Sequence, residues 1–396
     1  MDNVKNMASR LDSSRIVVIV SVVYVVLITA IGMYLYMKFN EKERFDRRFI
    51  KRLEDHTDEP GSMYISTDGF HNPNAVSDSK KIVRENQGNL ISPVSIVNCH
   101  IKTAFNCCAV NTYRNSWVSV EPLKYCLQIG MKCLDFEIYS VERKPVVGLN
   151  SREKNIDMKE SFNKIPLGDV ISVIRKFMAS TTILDKSVMD LPLILHFRLK
   201  TKQEDTLKAF AEEIAKLGDD RYGTRYHDII SEDSETCFIH HDLYENGNIA
   251  PHLKRKIIVI ANFTSLSDKT AKDTSFYRDF ISNTNIDSAV NLISPSKFCK
   301  YTTNTNAQVS TNDDKPSIDP FELTFSAPFA DFEGSCIQFN PSNVQESGVQ
   351  LIGICAQKNL EKNNNSMVNG YFNLFSDGKA RYYSYIAKSN SRVYSR

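Results

Sequence analysis

The stretch IVVIVSVVYVVLITAIGMYLYM, Ile16 to Met37, constrains this chain more than any other. It runs 22 residues without a charge. A helix rising about 1.5 Å per residue needs roughly 20 such residues to cross about 30 Å of hydrocarbon. Tyr34 and Tyr36 stand near one end, where interfacial aromatic residues belong. A buried core helix or a cleaved signal peptide would be the alternatives. The run is long for a signal peptide, no A-x-A cleavage site follows it, and a basic stretch comes next. Residues 16–37 therefore read as a transmembrane helix, with residues 1–15 as a short tail.

Orientation follows from the flanks. Three basic residues precede the span (Lys5, Arg10, Arg15) and seven lie between Lys38 and Arg52. The positive-inside rule places the large C-terminal part on the cytoplasmic side of a single-pass protein. Glu41, Glu43 and Asp46 interleave with the cations, so this stretch reads as a solvated helix extending the anchor and not as a grip on anionic lipid. The sequons at Asn262 and Asn364 would matter only in the reverse orientation.

The net charge of +2 and the 24% of charged residues argue against a nucleic-acid partner. Nine cysteines, with no C-x-x-C pair and several inside apolar runs, fit a reduced compartment better than a disulfide framework.

Residues 53–88 are polar, contain Pro60-Gly61 and Asn72-Pro73, and read as a stalk completing a juxtamembrane segment over 38–88. Beyond residue 89, apolar strands alternate with amphipathic helices. SPVSIV (92–97) reads as a first strand. A helix follows Ser119, a candidate N-cap, with Val120, Leu123 and Leu127 on one face. KCLDFEIY, LPLILHF, KRKIIVIAN and GVQLIGICAQ read as further strands. LGDVISVIRKFM and EDTLKAFAEEIAKLG read as helices, the second with Leu207, Phe210, Ala211, Ile214 and Leu217 inward and Gly218 as its stop. The alternation predicts an α/β fold with a largely parallel sheet. Residues 263–319 are polar and weakly patterned, and structure resumes near residue 320. There is no Gly-rich phosphate loop, no G-x-S-x-G elbow and no H-E-x-x-H motif.

Chemistry concentrates in CLDFEIYS. Asp135 and Glu137 are two apart, so in a strand they point to one side, with Leu134, Phe136 and Ile138 to the other. Two carboxylates aimed into one space form a metal or catalytic site, or the remnant of one. CFIHHD (237–242) with His227 offers zinc-capable residues but no second spaced pair.

LKYCLQIGMKCLDFEIYSVERKPVVG, DLPLILHFRLK, HLKRKIIVIAN and FNPSNVQESGVQLIGICAQ stand in the order of the X and Y halves of phosphoinositide-specific phospholipase C, and the chain resembles that family. HIKTAFNCC, CLDFEIYS and PLILHFRLK are similar to a narrower group of membrane-anchored, degenerate members encoded by large double-stranded DNA viruses. The resemblance implies a distorted (β/α)8 TIM-type barrel, with an X-like half over 89–262, an insertion over 263–319 and a Y-like half over 320–396.

The family cleaves phosphodiesters with two histidines, and eukaryotic members add a calcium ion while bacterial members substitute an arginine. Carried onto this chain, His100 is the candidate first histidine if SIVNCH matches the bacterial motif. If AVNTY matches instead, Val110 stands where the base should be and Asn111 keeps a ligand-type residue. The second histidine has no candidate, because no His occurs between 101 and 195. His196 reads as a satisfied core residue. Asp135 and Glu137 match two ligand positions with their acid types swapped, and the last carboxylate falls on Arg198. A guanidinium there would repel Ca²⁺ and pair with the two acids. The alternative is three unrelated polar residues at strand ends. The matched Y stretch also lacks the family's phosphate-holding arginine, since no Arg occurs between 279 and 380.

The expectation is thus a membrane-anchored, phospholipase-C-like barrel without the family's activity. Its role is structural or binding, in a virus particle or an infected-cell membrane. It takes no cofactor, and its partners are the membrane through 16–37 and other virion or membrane proteins. The rivals are a divergent phosphodiesterase using His100 with Arg198 or Lys154, with Ca²⁺ only in that case, and a lipid-headgroup binding module.

Overall fold

The computed structural model describes residues 13–58, 68–71, 94–110, 116–153, 156–159, 161–180, 189–222, 242–245, 248–263, 291–292, 299–303, 323–327, 341–356, 366–375 and 383–388. It divides into two compact units, Met1–Arg48 and Phe49–Arg396. Helix α1, Ser13–Asp58, carries the apolar run. Its most apolar 18-residue window has a mean hydropathy of 2.9 and none of it is buried, so the helix is long and apolar enough to span a bilayer. Past the apolar run, Lys38–Glu41 (2.8 Å) and Lys42–Asp46 (3.4 Å) pair along the helix at i,i+3 and i,i+4. The helix continues to Asp58, further than the expected start of the stalk at residue 53. Within that stalk Asp68–His71 is a strand.

The second unit is built on a mixed α/β sheet. Its strands are β1 Cys99–Ala104, β2 Cys133–Val141, β3 Lys144–Gly148, β4 Leu193–Leu199, β5 Arg221–Tyr222 and β6 Ile257–Phe263. They continue with β7 Asn291–Leu292, β8 Cys299–Thr303, β9 Leu323–Ala327, β10 Leu351–Ile354 and β11 Tyr383–Ala387. The main path runs β5-β6-β4-β2-β1-β10-β9-β8, every pair parallel, with β7 also parallel on β6. In the chain order β1, β2, β4, β6, β7, β8, β9, β10, each strand neighbours the next except at one seam, and β10 returns to β1. This is the order of an eight-stranded barrel opened between β7 and β8. Among the described residues no pairing crosses that seam, so the observed architecture is a sheet.

The sequence pattern explains most elements. β2 alternates, and its outward Phe136 stacks on Phe197 of β4 at 5.2 Å; Phe197 meets Phe210 edge-on at 5.2 Å. Phe210 belongs to helix α4, Glu204–Ala215, whose buried residues include Leu207, Ala211 and Ile214; Leu217 just beyond is also buried. Gly218 takes φ +61° immediately after, the left-handed stop a helix end needs. Helix α3, Leu167–Ala179, buries Val170, Ile171, Ile174 and Phe177 as its stripe predicts. Each fully buried Phe or Ile contributes about 1.5–3 kcal/mol.

Two expectations are corrected. Residues 92–97 do not form the first core strand. Val94–Ser95 is a two-residue strand in a small separate sheet, and Ile96–Asn98 is a 3₁₀ turn. The core strand is the next segment, CHIKTA, all six residues of it buried. His100, Lys102 and Thr103 interrupt its apolar run, which hides it from a hydropathy reading. Helix α2, Glu121–Gln128, has Val120 at its N-cap position, and Ser119 helps from one residue earlier by accepting the Glu121 N–H at 3.3 Å. Within the weakly patterned stretch 263–319, Asn291–Leu292 and Cys299–Thr303 are strands, and residues 304–317 lie outside the described residues.

The hairpin joining β2 to β3 holds Glu142 (φ 53°) and Arg143 (φ 61°) in the left-handed region. A two-residue hairpin loop demands this backbone, but side chains with a Cβ adopt it at a cost of roughly 1–2 kcal/mol each. The Arg143–Asp205 pair (3.3 Å) does not offset this, being 73% and 56% exposed. Replacing the two residues with Asn-Gly should stabilise the fold by about 1 kcal/mol, read as a higher urea midpoint with unchanged slope.

Candidate functional site

The pairing of β2 with β4 sets Asp135 opposite His196 and Glu137 opposite Arg198. Residues paired in a parallel ladder project to the same face, so four polar side chains leave one side of the sheet toward its carboxyl end. Leu134, Phe136, Leu195 and Phe197 face the opposite way into the helical layer. Asn106, two residues beyond β1, completes the group. Its φ of 45° lies in the left-handed region, which Asn tolerates better than most residues. That turn aims its backbone N–H at Asp135 Oδ2 (3.0 Å) and its amide Nδ2 at Glu137 Oε1 (3.3 Å).

Arg198 sits at the centre. Its Nε donates to Asp135 Oδ1 (3.0 Å), and Nη2 donates to Asp135 Oδ2 (2.7 Å) and to Asn106 Oδ1 (2.8 Å). Its Nη1 lies 2.6 Å from Glu137 Oε1. The Phe105 ring covers the guanidinium at 4.4 Å. His196 Nδ1 is 2.6 Å from Asp135 Oδ1, and the Tyr139 hydroxyl donates to Glu137 Oε2 at 2.8 Å. Asp135 and His196 are 0% exposed, Glu137 3% and Asn106 4%.

Burial by itself would raise the Asp135 carboxyl, but the Arg198 charge and the hydrogen bonds from His196 and Arg198 outweigh it and hold the group well below the usual carboxylate range. Burial likewise opposes the Arg198 charge, and Asp135 with Glu137 holds it above its ordinary value. An ionised Asp135 has no proton to give, so His196 carries the proton of their shared bond on Nδ1.

A carboxylate offers about four acceptor positions. Arg198 Nε, Arg198 Nη2, His196 Nδ1 and the Asn106 N–H fill all four on Asp135. A calcium ion would have to displace a guanidinium already in bidentate contact, so this donor set does not fit one. Among the described residues, no three His, Cys, Asp or Glu side chains are grouped to hold a metal.

Asp135, Glu137 and Arg198 are therefore brought together in space. His100 is not. It lies in the first half of β1, four residues and about 13 Å before the strand's end, with Nδ1 2.8 Å from the Val349 carbonyl oxygen. His100 thus stands near the opening of β1, whereas Asn106, past the other end of that strand, meets Asp135. Val110 is buried nearby in sequence, at 1% exposure. Asn111, Lys154, His227 and the Cys237–His241 stretch lie outside the described residues.

Asn106 and Tyr139 are the members that sequence reading passed over, and His196, read there as a satisfied core residue, has Asp135 as its partner. His196 and Arg198 repeat the two-residue spacing of Asp135 and Glu137, a signal that two adjacent strands share one polar face. Tyr139 continues that alternation. Asn106 left no signal, because its role comes from a backbone turn.

No protein-family model matches the chain, and no curated protein sequence does. Among solved structures it is similar to L. pealei PLC21, with 16% identity and a TM-score of 0.48 over 77% of this chain and 38% of that one. S. officinalis PLC21 gives 16% and 0.49 over the same shares. A calcium-dependent phosphoinositol-specific phospholipase C from Pseudomonas sp gives 10% and 0.39, over 68% of this chain and 92% of that one. The chain thus spans under two-fifths of the length of the two PLC21 proteins. At these identities the likeness concerns the fold alone.

Arg198→Met should cost about 3–5 kcal/mol, because it strands two buried carboxylates, and Arg198→Lys should lose less; urea unfolding of the full chain in detergent checks both. Acid should act on the same cluster. The folded Asp135 carboxyl is depressed, so its stabilisation is complete above the unfolded value near 4 and is lost as pH falls below it. Unfolding midpoints from pH 6 to pH 2 should fall steeply for the wild type and less steeply for Asp135→Asn.

Proposed function

We propose that the chain is a membrane-anchored, phospholipase-C-like (β/α)8 barrel without the family's acid–base pair, serving as a structural or binding element. The observation that carries this reading is the complete saturation of Asp135 by protein donors, four bonds on four acceptor positions. A carboxylate so engaged neither ligates a metal nor orients a mobile base. Without two proton-transferring groups, a phosphodiesterase of this type loses a contribution of order 10²–10⁴ in rate for each. The barrel reading is supported by the strand order and by β1–β6 and β9–β10, from the two proposed halves at 89–262 and 320–396, lying in one sheet.

The anchor is α1, crossing once, with the C-terminal part on the cytoplasmic face; the three-to-seven distribution of basic residues supports that orientation. The setting we assign is the membrane of a large DNA virus particle or of the infected cell, with other virion or membrane proteins as partners. Its support is the resemblance of HIKTAFNCC, CLDFEIYS and PLILHFRLK to that viral group.

Full-length protein in lipid nanodiscs should hydrolyse neither phosphatidylinositol nor glycerophosphodiesters, with or without calcium, and calcium should leave its melting temperature unchanged. Turnover that disappears in His196→Ala would replace this reading with the enzyme. Headgroup binding without turnover would narrow it to a lipid-recognition module.

A further inference from the structure

Among the described residues, Lys102 has no carboxylate partner. It lies in β1 and is 0% exposed. An ammonium has three N–H donors, yet Lys102 Nζ makes one hydrogen bond, to the Ile129 carbonyl oxygen at 3.2 Å. Its other surroundings are the rings of Phe372 and Phe375, with centroids 5.4 and 5.9 Å away. Phe372 belongs to helix α5, Ser366–Leu374, and Phe375 follows it directly. In register, Lys102 stands beside Ile352 of β10. The ring faces attract an ammonium, but they give no hydrogen-bond acceptor to its two remaining N–H donors where water does not reach, whereas an amine leaves less unmet.

Among the described residues, the titratable groups on the elements around it give no compensating charge. Tyr125 and Cys126 lie on α2, Tyr371 on α5, Lys132 and Cys133 at the start of β2, and Cys355 just after β10. Burial keeps Tyr371 and Cys126 protonated, and Lys132 bonds to the Leu191 carbonyl oxygen at 3.2 Å, with Asp190 and Arg255 as its charged neighbours. Accordingly, burial alone lowers Lys102 from 10.5 to about 7.

We propose that Lys102 is a proton-operated latch: uncharged, it lets α5 close over the lower half of the sheet, and on taking up a proton it drives that helix open. The sign follows from linkage. With α5 lifted, Lys102 regains its ordinary proton affinity, so the open state binds more protons between about pH 10.5 and pH 7. Opening therefore rises as pH falls through that window and levels off below about 7. Between pH 9 and pH 6 the open fraction grows about a hundredfold.

Hydrogen exchange on the full chain in nanodiscs, corrected for intrinsic exchange rates, tests this. Peptides covering Ser366–Phe375 should lose about a hundredfold in protection from pH 9 to pH 6, while Glu204–Ala215 in α4 holds its protection. In Lys102→Met the helix should be equally protected at both pH values. The latch is overturned by a pH-independent wild-type helix, by the same loss in Lys102→Met, or by an equal loss in α4, which would mean global opening. Should Lys102→Met not fold, Lys132→Met decides: α5 should keep its hundredfold loss there, and a flat α5 profile would overturn the latch by assigning the titration to Lys132.

Discussion

Two carboxylates on one side of a buried strand cannot both remain charged without a cation held among them, and Arg198 is that cation. Moving an ion out of water costs several kcal/mol even after relaxation, and only close, multiply bonded geometry offsets it. The guanidinium supplies that geometry through four N–H contacts to three partners. The contacts tie β2, β4 and the turn after β1 into one unit, so the register of three neighbouring strands depends on it. The group is sealed from above by Phe105 and from the side by Tyr139. The two acids that stand out in the sequence are thus members of a buried ion cluster.

The fold handles its buried cations in two ways. Arg198 is always charged and is matched by acids. Lys102 and Lys132 are matched by single carbonyl oxygens, and burial lowers each to about 7. The contrast follows side-chain chemistry. A guanidinium cannot shed its proton within any ordinary pH range and must be paired, whereas an amine can meet an apolar slot by becoming neutral. The polar face near the carboxyl ends of the strands therefore keeps its charges, and the two lysine sites can lose theirs.

Sequence alone made much of this legible. The helices at Leu167–Ala179 and Glu204–Ala215 follow from apolar spacing, and β2, β4 and β6 from continuous or alternating apolar runs. The pairing of Arg198 with Asp135 and Glu137 was also within reach, because opposite charges at matched spacing on two buried strands have few other ways to be satisfied. β1 was not. Its polar residues serve different ends: His100 meets a carbonyl, Lys102 lies under rings, and Thr103 bonds its own strand's backbone. A hydropathy pattern sums these as a loop. His196 was hidden for the opposite reason, since a histidine inside an apolar run looks the same whether it fills space or holds a carboxylate.

The last strand carries a consequence for how the molecule is made. β11 runs antiparallel along β1, with Tyr385 opposite Ile101, and Asp68–His71 is paired on its far side. The first half of β1 and the strand at Asp68–His71 thus both depend on a segment far along the chain, a pairing of high contact order. The helix at Ser13–Asp58 needs no such partner, because its backbone bonds are local. Until β11 arrives, β1 presents an unpaired edge over its first half, so joining this strand is the slow and exposed step of folding.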